Sequence, residues 1–295
     1  MSDTTYPPVA TGEDAPIWNG SAFVRARGST RVLAYGVGES GWSDELTELH
    51  ESAADSGNHF IDVASRRHAI AELERAVGDR PAAIMEVGCS AGHLLADMRK
   101  SLPNARLTGG DYTIGTLEKL GRKMPGIPLI RFDLANSPLP SEQYDAMVLL
   151  NVLEHIEDDR SAVRHIERML KPGGTVVIEV PGGPELYDDY DKQLQHFRRY
   201  TLQGICDVVE SAGLVVERRN YLGALIYPPF YLAKKLAQSR PKPAAEREAH
   251  VAKAISNTSR FNPIGEAVMS LERALGRVVQ YPRGIRCVVT ARKPA

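Results

Sequence analysis

From residue 81 onward, short apolar runs alternate with helical patterns, and this alternation restricts the chain more than any other feature. Strand-like runs fall at 83–87, 106–109, 128–132, 144–150, 175–180 and 214–218, with helical patterns at 92–101, 114–123, 159–170 and 202–212. Short strands separated by helices predict a parallel sheet covered on both faces. The crossovers should be right-handed, because a right-twisted strand packs its helix back onto the sheet only that way. A last run, "IRCVVTARK" at 285–293, has no helix after it.

The flanking segments differ in character. Residues 1–16, "MSDTTYPPVATGEDAP", are polar and proline-rich and lack the basic and apolar stretches of a signal peptide, so they read as a disordered lead. Helical patterns follow at 42–49 and 64–77; in the second, Ile70, Leu73 and Val77 recur at helical spacing before Gly78. Between the strands at 214 and 285 lie the aromatic "LIYPPFYLAKKLAQ", the polar "SRPKPAAEREAH" and a helical pattern at 265–279. The predicted organisation is a lead and N-terminal helical lid over 1–80, a core over 81–223 and 282–295, and a helical insertion over 224–281.

The longest apolar run, "YLGALIYPPFYLA", is too short to span a bilayer and is interrupted by Pro228 and Pro229, which also disfavour a continuous amphipathic helix. It reads first as a cap over a substrate, then as a dimer surface, and last as a membrane contact. A net charge of −1 gives no global electrostatic case for a nucleic-acid partner, and 43% hydrophobic residues are ample for a core. Cys89, Cys206 and Cys287 are odd in number and widely spaced, as expected of reduced thiols in the cytoplasm.

"IMEVGCSAGHLLADM" combines a strand, a glycine turn and a helix start. Gly88 and Gly92 would let the backbone approach a ligand, and the helix would offer its free N–H groups. A dinucleotide cradle wants G-x-G-x-x-G, but Ser90 stands at the second glycine position. Glu86, just before the turn, would repel a pyrophosphate and suit a cation. Asp111 follows the second strand, where a carboxylate can accept ribose hydroxyls. Asp133 follows the third, placed to accept from an adenine amino group while the Leu134 N–H donates to the ring. A nicotinamide reductase is disfavoured by Ser90, Glu86 and the lack of a suitably placed Tyr-x-x-x-Lys pair.

The ordered motifs "EVGCSAG", "GGDYT", "FDLANSPLP", "YDAMVLLNVLEHIED" and "LKPGGTVVIEVP" resemble those of class I S-adenosylmethionine-dependent methyltransferases. The resemblance implies a Rossmann-like α/β fold, a seven-stranded sheet whose last strand inserts antiparallel. It also implies S-adenosylmethionine as methyl donor and S-adenosylhomocysteine as product. Glu86, Gly88, Cys89, Ser90 and Gly92 would surround the methionine part, Asp111 and Tyr112 the ribose, and Asp133 and Leu134 the adenine. Asn151 and Val152 would close over the methyl end.

A protic acceptor benefits from a general base. His155 in "NVLEHIED" is the first candidate, and His196 in "DKQLQHFRRYT" the alternative base or a substrate contact. Tyr187, Tyr190, Arg198, Arg199 and Tyr200 form an aromatic and cationic group suited to an acidic, phosphorylated or ring-bearing substrate. His59, Asp62, Arg66 and Arg67 could face the cofactor from the lid. The "xxxEH" pattern is similar to ubiquinone-pathway O-methyltransferases, where an acid three residues before the pair helps hold a divalent ion. Asn151 occupies that position here and is a poorer ligand for a hard cation, so no metal is expected. The expected function is methyl transfer to oxygen or nitrogen of a small molecule in natural-product or cell-envelope saccharide biosynthesis, with carbon methylation or S-adenosylmethionine binding without catalysis as the alternatives.

Overall fold

The computed structural model describes residues 4–26, 28–37, 57–239, 262–276 and 278–295. The helix expected at 42–49 lies outside them, as does most of the polar run that opens after residue 239.

Three short strands, β1 (Ile17–Trp18), β2 (Phe23–Arg25) and β3 (Gly28–Thr30), form a small antiparallel sheet. The main sheet contains β4 (Val32–Ala34), β5 (Ala83–Val87), β6 (Arg106–Asp111), β7 (Leu129–Arg131), β8 (Tyr144–Leu150), β9 (Leu170–Pro181), β10 (Val215–Leu222) and β11 (Arg286–Arg292). Their spatial order is β10-β11-β9-β8-β5-β6-β7-β4. From β9 to β4 neighbours run parallel, while β11 lies antiparallel between β9 and β10. The mostly parallel sheet with an antiparallel last strand is therefore as expected, with one strand more. The extra strand is β4, whose Val32 and Leu33 are buried against β7; three residues are too few for a period-2 signal in sequence.

The helices are α1 (Phe60–Val77), α2 (His93–Ser101), α3 (Ile114–Lys123), α4 (Asp159–Met169), α5 (Asp189–Gln193), α6 (Leu202–Glu210), α7 (Tyr227–Ser239) and α8 (Asn262–Leu275). Apolar cores lie on the two faces of the sheet, one containing Met85, Met147 and Ile205, the other Ile84, Leu95 and Val148. Every residue of β5 is buried, as a central strand covered on both sides requires.

Three expectations change. Residues 4–16 are held to the fold: Tyr6 is buried edge-on against Phe23, and the Thr5 N–H donates to Gln143 at 3.0 Å. A single buried aromatic anchors a segment whose composition otherwise favours disorder. Helix α1 is a layer of the core rather than a lid, because Ala69, Leu73 and Val77 pack into one of the two faces. Helix α7 starts at Tyr227, which puts Pro228 and Pro229 in its first turn; there the missing N–H groups have no intrahelical acceptor to lose. The insertion is tied to the N-terminal part: Asn262 accepts from the Phe60 N–H, and Glu272 in α8 accepts from Gly223 and Leu225 N–H.

Asp145 sets the strand starts. Its carboxylate accepts from the Ala83 N–H at 2.9 Å, Arg80 at 2.8 Å and Lys171 at 2.9 Å, joining β5, β8 and β9. Burial pushes this carboxyl up, but the hydrogen bonds from Arg80, Ala83 and Lys171 outweigh it and hold it at about 2. The stabilisation it gives is present above its ordinary range and is lost as pH falls through about 2. Asp145→Ala should cost about 1–2 kcal/mol in urea unfolding at neutral pH, and Asp145→Asn should make stability less sensitive to acid below pH ~4.

Candidate active site

The strand ends hold the cofactor candidates. β5 finishes in a turn with three left-handed residues, Gly88 (φ +76°), Ser90 (+44°) and Gly92 (+78°). The Gly88 and Cys89 N–H groups both donate to the Gly110 carbonyl at the end of β6. A Cβ on Gly88 would lie 2.5 Å from Val152 Cγ2, and one on Gly92 2.4 Å from Leu120 Cδ1. Both glycines are thus required by their backbone conformation and by the chain's own packing, a stronger reason than the close ligand approach expected from sequence. Cys89 is buried, and burial pushes its thiol well up, so it stays protonated and unreactive.

Glu86 is buried one residue before the end of β5, and among the described residues its Oε2 has no hydrogen-bond partner. Burial, followed by the charge of Asp111, raises its carboxyl well above the usual range. Such a group is stabilised in its ionised form by an incoming cation. This fits the ammonium of S-adenosylmethionine.

Asp111 is already occupied. Oδ1 accepts from the Thr113 N–H at 3.0 Å and its hydroxyl at 2.9 Å, and Oδ2 from the Ser90 N–H at 2.9 Å. A carboxylate has about four acceptor sites, so little remains for two ribose hydroxyls. Asp111 instead buckles the β5 turn to the β6 turn and supports the strained Ser90. The neighbouring Tyr112 carbonyl accepts from Arg131 Nε. Asp133, at the end of β7, accepts from the Ala135 N–H at 2.9 Å and caps the turn containing buried Leu134. Asn151 follows β8 with φ +54°, and its N–H donates to the Glu179 carbonyl at 2.9 Å. These residues sit at the carboxyl ends of β8, β5, β6 and β7, which are neighbours in the sheet and flank its topological switch.

Val152, in contact range of Gly88, begins the turn Leu153–His155. His155 and His196 stack edge to face with ring centroids 4.7 Å apart. One donor atom from each of Glu154, His155 and His196 lies within 4.8 Å of the others. Glu154 is wholly buried; among the described residues neither carboxylate oxygen has a hydrogen-bond partner, and burial pushes its carboxyl up to about 8. His196 Nδ1 lies 2.9 Å from Asp191 Oδ1, which also accepts from Arg199 Nε at 2.7 Å. Burial raises the Asp191 carboxyl, but His196, Arg199 and Lys234 together hold it below the usual range.

The expected substrate group is mostly spent on this loop. Tyr187 donates to the His196 carbonyl at 2.7 Å, and Arg198 pairs with Asp159 at 3.0 Å. Arg199 is buried on Asp191 and the Gly182 carbonyl, and Tyr200 donates to Asp159 at 2.8 Å. Their guanidinium and phenol groups brace the loop. Tyr190 differs: its ring lies beneath Lys234 Nζ at 5.1 Å, and burial pushes its phenol up to about 12. Of the residues expected to face the cofactor from α1, His59 caps the helix, Arg66 pairs with Asp97, Arg67 with Glu266, and Asp62 with Arg286.

Arg286 escapes a sequence reading. Arg286 donates to Ser65 at 2.7 Å, Glu179 at 2.8 Å and Asp62 at 2.6 Å, clasping α1 to the sheet. It stands at the start of β11, and only the antiparallel insertion of that strand brings its start to the edge where parallel strands end. Asp191, five positions before His196, is legible in sequence as a partner for that histidine, and the structure pairs them.

Residues 85–178 match the family model described as a methyltransferase domain. A Mycolicibacterium smegmatis protein named as an S-adenosylmethionine-dependent methyltransferase is 29% identical over 139 residues, covering 45% of this chain and 52% of the relative. The chain spans about half the length of the first curated relatives it matches. A solved structure from Galdieria sulphuraria that carries the name of a sarcosine dimethylglycine methyltransferase is 12% identical, with a TM-score of 0.59 over 85% of this chain and 99% of that one. The cyclase SpnF is 18% identical with a TM-score of 0.57, covering 85% and 93%. These structural likenesses show the fold.

Gly88→Ala should lower thermal stability and weaken S-adenosylhomocysteine binding by at least about tenfold in calorimetry. Adding Val152→Ala should recover part of the stability, because it opens the space without relieving the left-handed backbone; full recovery would mean that packing alone requires the glycine.

Proposed function

The chain carries a class I S-adenosylmethionine-dependent methyltransferase domain, and from that premise we propose that it methylates an oxygen or nitrogen of a small molecule in a biosynthetic pathway. The observation that supports this reading is the Gly88–Val152 contact, between the turn that follows Glu86 and the turn that carries Glu154 and His155. S-adenosylmethionine supplies a sulfonium-activated methyl carbon.

The rest is alignment, and alignment can supply about 7–11 kcal/mol of the barrier. Glu86 would pair with the ammonium, which would compensate its buried carboxylate. Asp111 keeps the β5 and β6 turns in register so that their N–H groups and Ser90 stay in place. Asp133 and Leu134 would bound the adenine end, and Asn151 and Val152 would close the methyl end. His155 and His196 stand where the acceptor's O–H or N–H is activated. Helix α7 covers the loop that carries His196 through Lys234, which reaches Asp188 at 2.8 Å. That supports the cap reading of the insertion and an acceptor small enough to sit beneath it.

A second reading, cofactor binding with a different outcome, is favoured by the likeness to a cyclase of the same fold, since fold alone does not decide chemistry. Calorimetry with S-adenosylhomocysteine, with NADPH as comparison, tests the cofactor; transfer of a labelled methyl group to an acceptor panel tests the reaction. Binding of NADPH alone would overturn the proposal.

Glu86→Gln should raise the Kd for S-adenosylhomocysteine at least about tenfold, about 1.4 kcal/mol, while thermal stability holds or rises. The rise follows because an acid whose folded pKa is raised costs stability at neutral pH. His155→Ala or His196→Ala should leave that Kd unchanged and lower turnover by about 10²–10⁴. Full turnover in both variants would remove the imidazoles from the reaction.

A further inference from the structure

We propose that Glu154, His155 and His196 form a binding site for one divalent first-row transition ion, on which an acceptor hydroxyl is held and acidified. Glu154 carries the argument. It is wholly buried, and among the described residues neither of its carboxylate oxygens has a hydrogen-bond partner. A buried carboxyl without a partner takes up a proton, and it is held ionised only where a partner or a metal compensates its charge. One of these oxygens lies within 4.8 Å of a ring nitrogen of His155 and one of His196, which are as close to each other.

His196 is built like a ligand. With Nδ1 against Asp191 at 2.9 Å, the nitrogen left for coordination is Nε2. Asp191 is itself held by Arg199 at 2.7 Å and by the Asp188 N–H at 3.0 Å, so ring orientation and tautomer are set by a buried carboxylate. Metal-binding histidines almost always have such a partner on their second nitrogen. The fit needs a small contraction: with metal–ligand bonds of about 2.0–2.2 Å, two ligands on one ion stand at most about 4.2–4.4 Å apart.

Ligand chemistry selects the ion. Two imidazoles and one carboxylate suit zinc, cobalt, nickel or iron over magnesium or calcium, and three protein ligands leave positions open. The expectation of no metal rested on Asn151, the residue three positions before the Glu-His pair. The fold supplies a third ligand from elsewhere, His196 in the loop after β9.

The inference rests on the methyltransferase reading for its purpose. An acceptor hydroxyl binds the ion through oxygen and gives its proton to water. That oxygen then forms the new bond to the methyl carbon as the carbon–sulfur bond breaks, and the electron pair returns to sulfur, leaving a thioether.

The test uses untagged full-length protein, freed of metal by chelator and titrated calorimetrically with zinc chloride and, separately, magnesium chloride. One zinc per chain with a micromolar or lower Kd, and magnesium at least 100-fold weaker, are expected. Glu154→Gln and His196→Ala should each weaken zinc at least tenfold, and Asp191→Asn by about 10- to 100-fold. S-adenosylhomocysteine binding and thermal unfolding, measured on the same samples, show whether each variant is folded. Substoichiometric zinc, or zinc binding unchanged in Glu154→Gln, overturns the proposal. Zinc binding without S-adenosylhomocysteine binding would keep the metal site and overturn the methyltransferase reading.

Discussion

Five carboxylates, Glu86, Asp111, Glu154, Glu179 and Asp191, are buried around the edge where the parallel strands end. A buried acid is tolerated only where donors or a cation meet it, so how each is met assigns its work. Asp111 and Asp191 are met by donors of the chain itself and hold loops in place. Glu179 is met on one oxygen by Arg286. Among the described residues one oxygen of Glu86, the second oxygen of Glu179 and both oxygens of Glu154 have no hydrogen-bond partner, and Glu154 adjoins the histidine pair.

The two halves of that path are joined by backbone geometry. Three left-handed residues fold the β5 turn so tightly that Val152 rests where a Gly88 side chain would be. Ser90 and Asn151 hold left-handed conformations, unfavourable for residues other than glycine, in the turns after β5 and β8. Such conformations persist only where surrounding bonds over-determine them. Here those bonds are the two N–H donations to Gly110, the Ser90 N–H to Asp111 and the Asn151 N–H to Glu179.

The regular part of the chain was legible because its signals are local. Strands β5, β6 and β8 announce themselves as apolar runs between helical patterns, and the acids at strand ends follow from the alternation. The substrate group was misread for a related reason. Tyr187, Arg198, Arg199 and Tyr200 share a short segment, which shows that they are close and not what their polar ends face. In the fold those ends turn to Asp159, Asp191 and backbone carbonyls. The lead was misread because composition averages over residues, whereas burial of Tyr6 and a few specific contacts, such as Thr5 to Gln143 and Tyr35 to the Pro7 carbonyl, hold it.

The sequence by itself determined the parallel part of the sheet, because hydrophobic periodicity acts over a few residues, while the antiparallel last strand followed from what the resemblance to class I methyltransferases implies. Only the tertiary structure decided which groups are free to act. It brought His196 and Asp191 to Glu154 across the loop after β9, and Arg286 to Asp62 through an inserted strand. A hydrogen bond between distant segments is a property of where two backbones end up, and whether a side chain is spent or available depends on that alone.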